Sequence, residues 1–225
     1  MPGTDPLGGL AGRALALVGA QSRVMVALTG PPGAGKTTLA EALVERVNEL
    51  AGLRGEPGNF AISLPMDGFH LANRTLDRLD RGQRKGAIDT FDGWGFVWLL
   101  RRLREEHSHT VYAPGFDREI DEGVTGSIGI EPLTRLVIVE GNYLLAEAQP
   151  WHQIRELVAQ VWFCAAPEAE RMRRLVERHE NGGRTPAAAR AWAQEVDGAN
   201  AALITSTRHR ADVIVSGIDG SILAE

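Results

Sequence analysis

The chain has 225 residues, 44% hydrophobic and 24% charged, a balance that suits one ample folded domain with room for a lid or an insertion. Its formal net charge of -5 gives no general affinity for nucleic acid or an anionic membrane, so any basic site must be local. Cys164 is the only cysteine, which excludes an internal disulfide; in the apolar run VAQVWFCAA it reads as a buried small hydrophobe of a reduced, cytoplasmic protein.

The opening stretch has a short apolar patch with no positive charge ahead of it, which makes a poor signal peptide. Leu7, Leu10, Ala14 and Leu17 recur at helical spacing and predict a helix over residues 7–18. Near-continuous apolar runs at 24–30, 60–66, 135–141, 159–165 and 211–217 predict strands covered on both faces. No apolar run is long enough to cross a bilayer. Between the strands, Leu39, Leu43, Val47 and Leu50 mark one helical face, and Phe96, Leu99, Leu100 and Leu103 a second. Trp192, Val196, Ala199 and Leu203 mark a late one. This alternation predicts an α/β fold: a three-layer sandwich with a mostly parallel central sheet, carried by a single domain spanning residues 1–225. Residues 111–130, rich in Gly and short β-like pieces, break the rhythm and read as a small β insertion. Insertions at the carboxyl edge of such sheets commonly carry ligand contacts.

The stretch GPPGAGKT from Gly30 to Thr37 fits G-x-x-x-x-G-K-[ST] in full, after an apolar strand and at the start of a helix, the context this motif requires. Polyphosphate oxygens need several backbone N–H donors converging on one point. Gly30, Gly33 and Gly35 allow that close approach, and the helix adds the positive end of its dipole. Lys36 supplies a cation for the β- and γ-phosphates, and the Thr37 hydroxyl can ligate Mg²⁺. Gly30, Gly33, Ala34, Gly35, Lys36, Thr37 and Thr38 form the predicted nucleotide-binding set for ATP. Glu140, closing the buried run LVIV, is placed to hold Mg²⁺ or its waters; capping of the next segment is the bland alternative. Asp67 directly follows the second strand, at the same sheet edge as the loop. There it could take the proton from an acceptor alcohol, or simply turn the chain with Gly68.

The stretches GPPGAGKTT, MDGFHLAN, TFDGWGF, VYAPGFDREI, VIVEGNYLL and TRHRADVIV, in this order, resemble the uridine kinase/phosphoribulokinase/pantothenate kinase family of P-loop kinases. The likeness runs over residues 24–215 and is nearest to small bacterial members labelled fructose transport system kinases or nucleoside kinase-like proteins. It implies an ATP-dependent kinase acting on a hydroxyl of a small metabolite, with Asp67 as base. It implies acceptor contacts from Tyr112, Phe116 and Arg118, and from His70 and Asp92. A surface role for His70 and a helix cap for Asp92 are the structural alternatives. In such kinases an arginine-bearing lid occupies the region 168–186. Arg171, Arg174 and Arg178 share one helical face there, ahead of the Gly182–Gly183 break, and Arg174 and Arg178 are the predicted phosphate-contacting pair, with Arg173 as rival. Interleaved glutamates also fit a solvated helix with internal ion pairs. A nucleotide monophosphate kinase and a regulatory P-loop ATPase are the competing readings; the latter lacks both an N-K-x-D and an L-S-G-G-Q-like signature. The expected partner is a hydroxylated small molecule, and a homodimer is compatible with the sequence.

Overall fold

The computed structural model describes residues 5–56 and 58–225. Residues 1–4, the start of the stretch read against a signal peptide, lie outside the described residues. In chain order the elements are α1 (Pro6–Val18), β1 (Val24–Thr29), α2 (Lys36–Gly52), β2 (Ala61–Pro65), α3 (Asn73–Arg78) and α4 (Gly93–Glu105). A hairpin follows, β3 (Val111–Asp117) and β4 (Glu122–Ile130). Then come β5 (Leu136–Gly141), α5 (Ile154–Leu157), β6 (Gln160–Ala165), α6 (Glu168–Asn181), α7 (Pro186–Trp192), α8 (Gly198–Ser206), β7 (Val213–Ser216) and β8 (Ile222–Ala224).

The central sheet has the order β2-β5-β1-β6-β7-β8 and is parallel except for β8. All six residues of β1 are buried, as are all six of β5, the pattern of strands covered on both faces. Alternation along β1 divides the core. Val24, Val26 and Leu28 pack with Leu10, Ala14, Leu39, Leu43 and Val47 from α1 and α2. Met25 and Ala27 face the other way, toward Phe96, Leu100 and Leu103 of α4 and toward Val111 and Ala113 of the hairpin. The predicted insertion is thus a real two-stranded sheet whose buried residues join the second core.

Local chemistry explains several boundaries. Asp5 caps α1, its carboxylate accepting from the Gly8 N–H at 2.8 Å, with Pro6 as the first helical residue. Leu7 and Leu17 pack only at the edge of the core that buries Leu10 and Ala14. Gly35, at φ 98°, turns the chain from the loop into α2.

Two expectations are corrected. The late helix is α7 and α8 joined by a π-helical turn, Ala193–Asp197. Its wider turn inserts a residue and rotates the buried face. Ala193, Asp197, Asn200, Ala201 and Ile204 point inward, while Leu203, predicted inside, is 45% exposed. Strand β8 went unpredicted because its three residues are exposed and carry no alternation. Among the described residues no helix is long and apolar enough to cross a membrane.

Candidate active site

The Gly30–Thr37 loop leaves β1 and enters α2 at the carboxyl end of the parallel strands. Gly30, Gly33 and Gly35 all have positive φ, the backbone that a phosphate-cradling loop needs. Ala34 is fully buried and Thr38 is exposed in the first turn of α2. Beneath the loop the backbone is crowded. A Cβ on Gly217 would fall 1.7 Å from the Ala34 carbonyl oxygen and 2.7 Å from Cys164 Sγ. The Cys164 thiol donates to that same carbonyl at 3.4 Å, and burial pushes its pKa up to about 11. It is packing, as its sequence context predicts. Gly217 is a site residue that sequence reading missed; its only signal was its place at the end of the last predicted strand.

Lys36 is 8% exposed and donates to the Pro31 carbonyl at 3.1 Å. Burial lowers its pKa, against the charges of Glu140, Cys164 and Asp67, and Arg178 pushes the same way as burial. Glu140 is 4% exposed and accepts from the Thr37 hydroxyl at 3.0 Å. Burial pushes its pKa up to about 7, helped by the Asp67 charge and resisted by Lys36, the Thr37 hydrogen bond and Arg118. Lys36 and Glu140 therefore feel each other's charge and that of Asp67 where the loop meets the sheet.

Thr37 and Glu140 fit a hard divalent cation, since they place a hydroxyl and a carboxylate oxygen side by side, 3.0 Å apart. Among the described residues no three His, Cys, Asp or Glu side chains cluster to hold a metal unaided. That suits Mg²⁺, which usually binds through one or two carboxylates together with substrate phosphates. The raised Glu140 pKa has a consequence for the metal-free protein. The folded state holds this proton more tightly than the unfolded state, so its stabilising contribution is full below the ordinary carboxylate value near 4.5 and is lost as pH rises through about 7. Melting curves of the native protein and Glu140→Gln in chelator should therefore diverge across that window, with the native protein losing ground as pH rises.

Asp67 sits in a short helical turn, Met66–Phe69, directly after β2. Among the described residues its carboxylate has no hydrogen-bond donor, so it does not fasten a turn with Gly68. Gly68 is needed for another reason: a Cβ there would fall 2.2 Å from the Pro114 carbonyl oxygen of the hairpin. His70 Nδ1 lies 2.8 Å from the Asp67 carbonyl, which makes Nδ1 the protonated nitrogen. Burial lowers the His70 pKa despite the opposing Asp67 charge, leaving the ring neutral. That ring packs at a tilt against both Phe91 and Phe116, at centroid distances of 4.0 and 4.9 Å. Lys85 Nζ lies 5.4 Å from the Phe116 ring centre.

Other expected contacts fall elsewhere. Asp92 is the cap of α4, accepting from the Gly95 N–H at 2.8 Å, so the structural alternative explains it. Tyr112 is 64% exposed on the hairpin face opposite Val111 and Ala113, beside Gly129. The predicted arginine pair divides. Arg174 bridges Glu170, at 2.7 Å, to the Gly33 and Gly217 carbonyls, at 3.5 and 3.3 Å, and so ties α6 to the outer rim of the loop. Arg178 is the arginine whose charge registers at Lys36. Arg173 turns outward into ion pairs with Glu170 and Glu177. Two open grooves, of about 580 and 460 Å³, lie at the opposite end of the sheet, one lined by Trp98 and Arg101 and the other by Arg23 and His107. Neither includes a residue of the phosphate site.

Fold and loop together define a P-loop kinase-type α/β protein. No protein-family model matches the chain. A candidate uridine kinase from Schizosaccharomyces pombe is 39% identical over 143 residues, 62% of this chain; the match spans 59% of that relative's length. The ATP-dependent kinase-like protein notR' of Aspergillus versicolor is 39% identical over 128 residues, 54% of this chain and 74% of that one. A crystal structure from Silicibacter sp. TM1040, described as a candidate fructose transport system kinase, superposes with a TM-score of 0.82 at 37% identity, covering 92% of this chain and 98% of that one. The chain belongs to the uridine kinase-like family of P-loop kinases that its motifs resemble.

Proposed function

We propose that this protein is an ATP-dependent kinase that transfers the γ-phosphoryl group to a hydroxyl of a small metabolite. The observation that carries the reading is Asp67: a carboxylate at the sheet edge, without a donor of its own among the described residues, whose charge acts on both Lys36 and Glu140. A phosphate acceptor would call for cations at that place; an alcohol benefits from a base. The acceptor oxygen attacks the γ-phosphorus, and the bond to the bridging oxygen of ADP breaks. The hydroxyl proton passes to the Asp67 carboxylate. Lys36, and Arg178 from the lid helix, offset negative charge on the migrating group. Thr37 and Glu140 would hold Mg²⁺, which neutralises phosphate charge when bound. His70, Phe116 and Arg118 line the acceptor side between the Asp67 turn and the hairpin. The names of the relatives support ATP as donor and a sugar or nucleoside as acceptor.

A coupled ADP-release screen over nucleosides, sugars, pantothenate and polyols tests this. A hydroxylated acceptor should raise ADP release well above basal hydrolysis, and Lys36→Ala should abolish the gain. A hit that survives Lys36→Ala is a contaminant. Stimulation by nucleoside monophosphates alone, or slow hydrolysis indifferent to every hydroxylated compound, would overturn the proposal.

A further inference from the structure

Asp197 is a carboxylate with no part in the chemistry above, yet it is only 6% exposed. A buried carboxylate must be paired. Its two oxygens serve adjacent residues of α6: Oδ2 lies 2.7 Å from His179 Nε2, and Oδ1 lies 3.9 Å from Arg178 Nη2. The π-helical turn Ala193–Asp197 is what brings it there. A regular helix with the predicted face would turn Val196 and Ala199 inward instead. Widened turns of this kind recur at functional sites.

The helix that carries Asp197 is fixed on its other side. One turn on, Asn200 Nδ2 donates to the Gly86 carbonyl at 3.3 Å, and the same oxygen accepts from the Tyr143 hydroxyl at 2.7 Å. Arg178, by contrast, has a half-exposed side chain, with 49% of its surface accessible. A free arginine side chain must lose rotamer freedom before it can act at one point.

We propose that Asp197 is the positioning residue for the kinase reaction, its carboxylate clasping Arg178 and His179 together so that the Arg178 guanidinium is held at the phosphate site. The proposal rests on the function given above. His179 fills the second oxygen and stops the carboxylate from turning away. Arg178 then meets the developing charge already oriented, which is where fixed cations contribute most.

A double-mutant cycle tests it. Arg178→Met should lower kcat by about 10²-fold. Asp197→Asn should lower kcat about 10- to 100-fold with little change in the KM for ATP, as expected of a misplaced group. The double variant should be no worse than Arg178→Met alone, because Asp197 acts through Arg178. Asp197→Glu should recover part of the lost kcat. If Asp197→Asn does not fold, Asp197→Ser takes its place in the cycle. Losses that add, a native kcat for Asp197→Asn, or an effect confined to KM would overturn the proposal. The same cycle can be read on the affinity ratio of AMP-PNP to ADP, which needs no acceptor. A failed acceptor screen would then sink the kinase reading while this coupling is judged on its own data.

Discussion

Replacing Asp67 by Asn is expected to lower turnover by about 10²–10⁴-fold, the usual worth of a positioned general base. Affinity for ATP should hardly change, because Asp67 neither belongs to the loop nor bonds to it among the described residues. The amide keeps the size of the side chain and removes both the charge and the proton acceptor. It also removes one of the two influences that raise the Glu140 pKa, so nucleotide binding with Mg²⁺ is expected to hold or improve slightly. Steady-state ADP release with a saturating acceptor reads the first effect, and titration with a fluorescent ATP analogue reads the second. Turnover within a few-fold of native would leave the site without its base. Parallel loss of nucleotide affinity would instead mark Asp67 as part of the phosphate cradle.

Gly217→Ala is expected to cripple nucleotide binding from a position far along the chain from the loop it touches. The new methyl group would lie 1.7 Å from the Ala34 carbonyl oxygen, and that atom is backbone, so the loop itself must shift. Forced methylenes in a packed interior cost about 1–3 kcal/mol, and here the strain falls on the phosphate-binding backbone. Affinity for ATP should fall by about tenfold or more at 1.4 kcal/mol per decade. Calorimetric titration with ATP checks the loss. Ala at Gly52, where a Cβ meets nothing within 4 Å, is the matching control and should bind normally.

Much of this was legible in the residues because the signals were local. The loop announces itself through glycine, lysine and threonine at fixed spacing. The buried strands announce themselves through unbroken apolar runs, and Glu140 through its place at the end of one. The π-helical turn was not legible, since helical periodicity assumes one angle per residue and an inserted residue displaces everything after it. For the same reason nothing in the sequence joins Asp197 to His179, 18 positions earlier on another helix. For Asp92 the sequence offered both a helix cap and an acceptor contact, and the Gly95 N–H that donates to its carboxylate makes it the cap. Arg173, Arg174 and Arg178 have the same chemistry; they separate only when one is seen to pair with solvent-facing glutamates, one to reach the loop carbonyls and one to lie beside Asp197. Tyr112 was expected at the acceptor from the family likeness alone; the structure shows its side chain exposed on the hairpin face opposite Val111 and Ala113.

The absence of room between Gly68 and Pro114 ties the turn that carries Asp67 to the hairpin as one unit. A designer wishing to retarget the proposed activity toward a different metabolite could not transplant the hairpin alone, because a strand seated even slightly differently would drag the Asp67 turn with it. Selectivity and reactivity are mechanically inseparable here, so new specificity is better sought at side chains such as Phe116 and Arg118, which can change while the backbone seam stays shut.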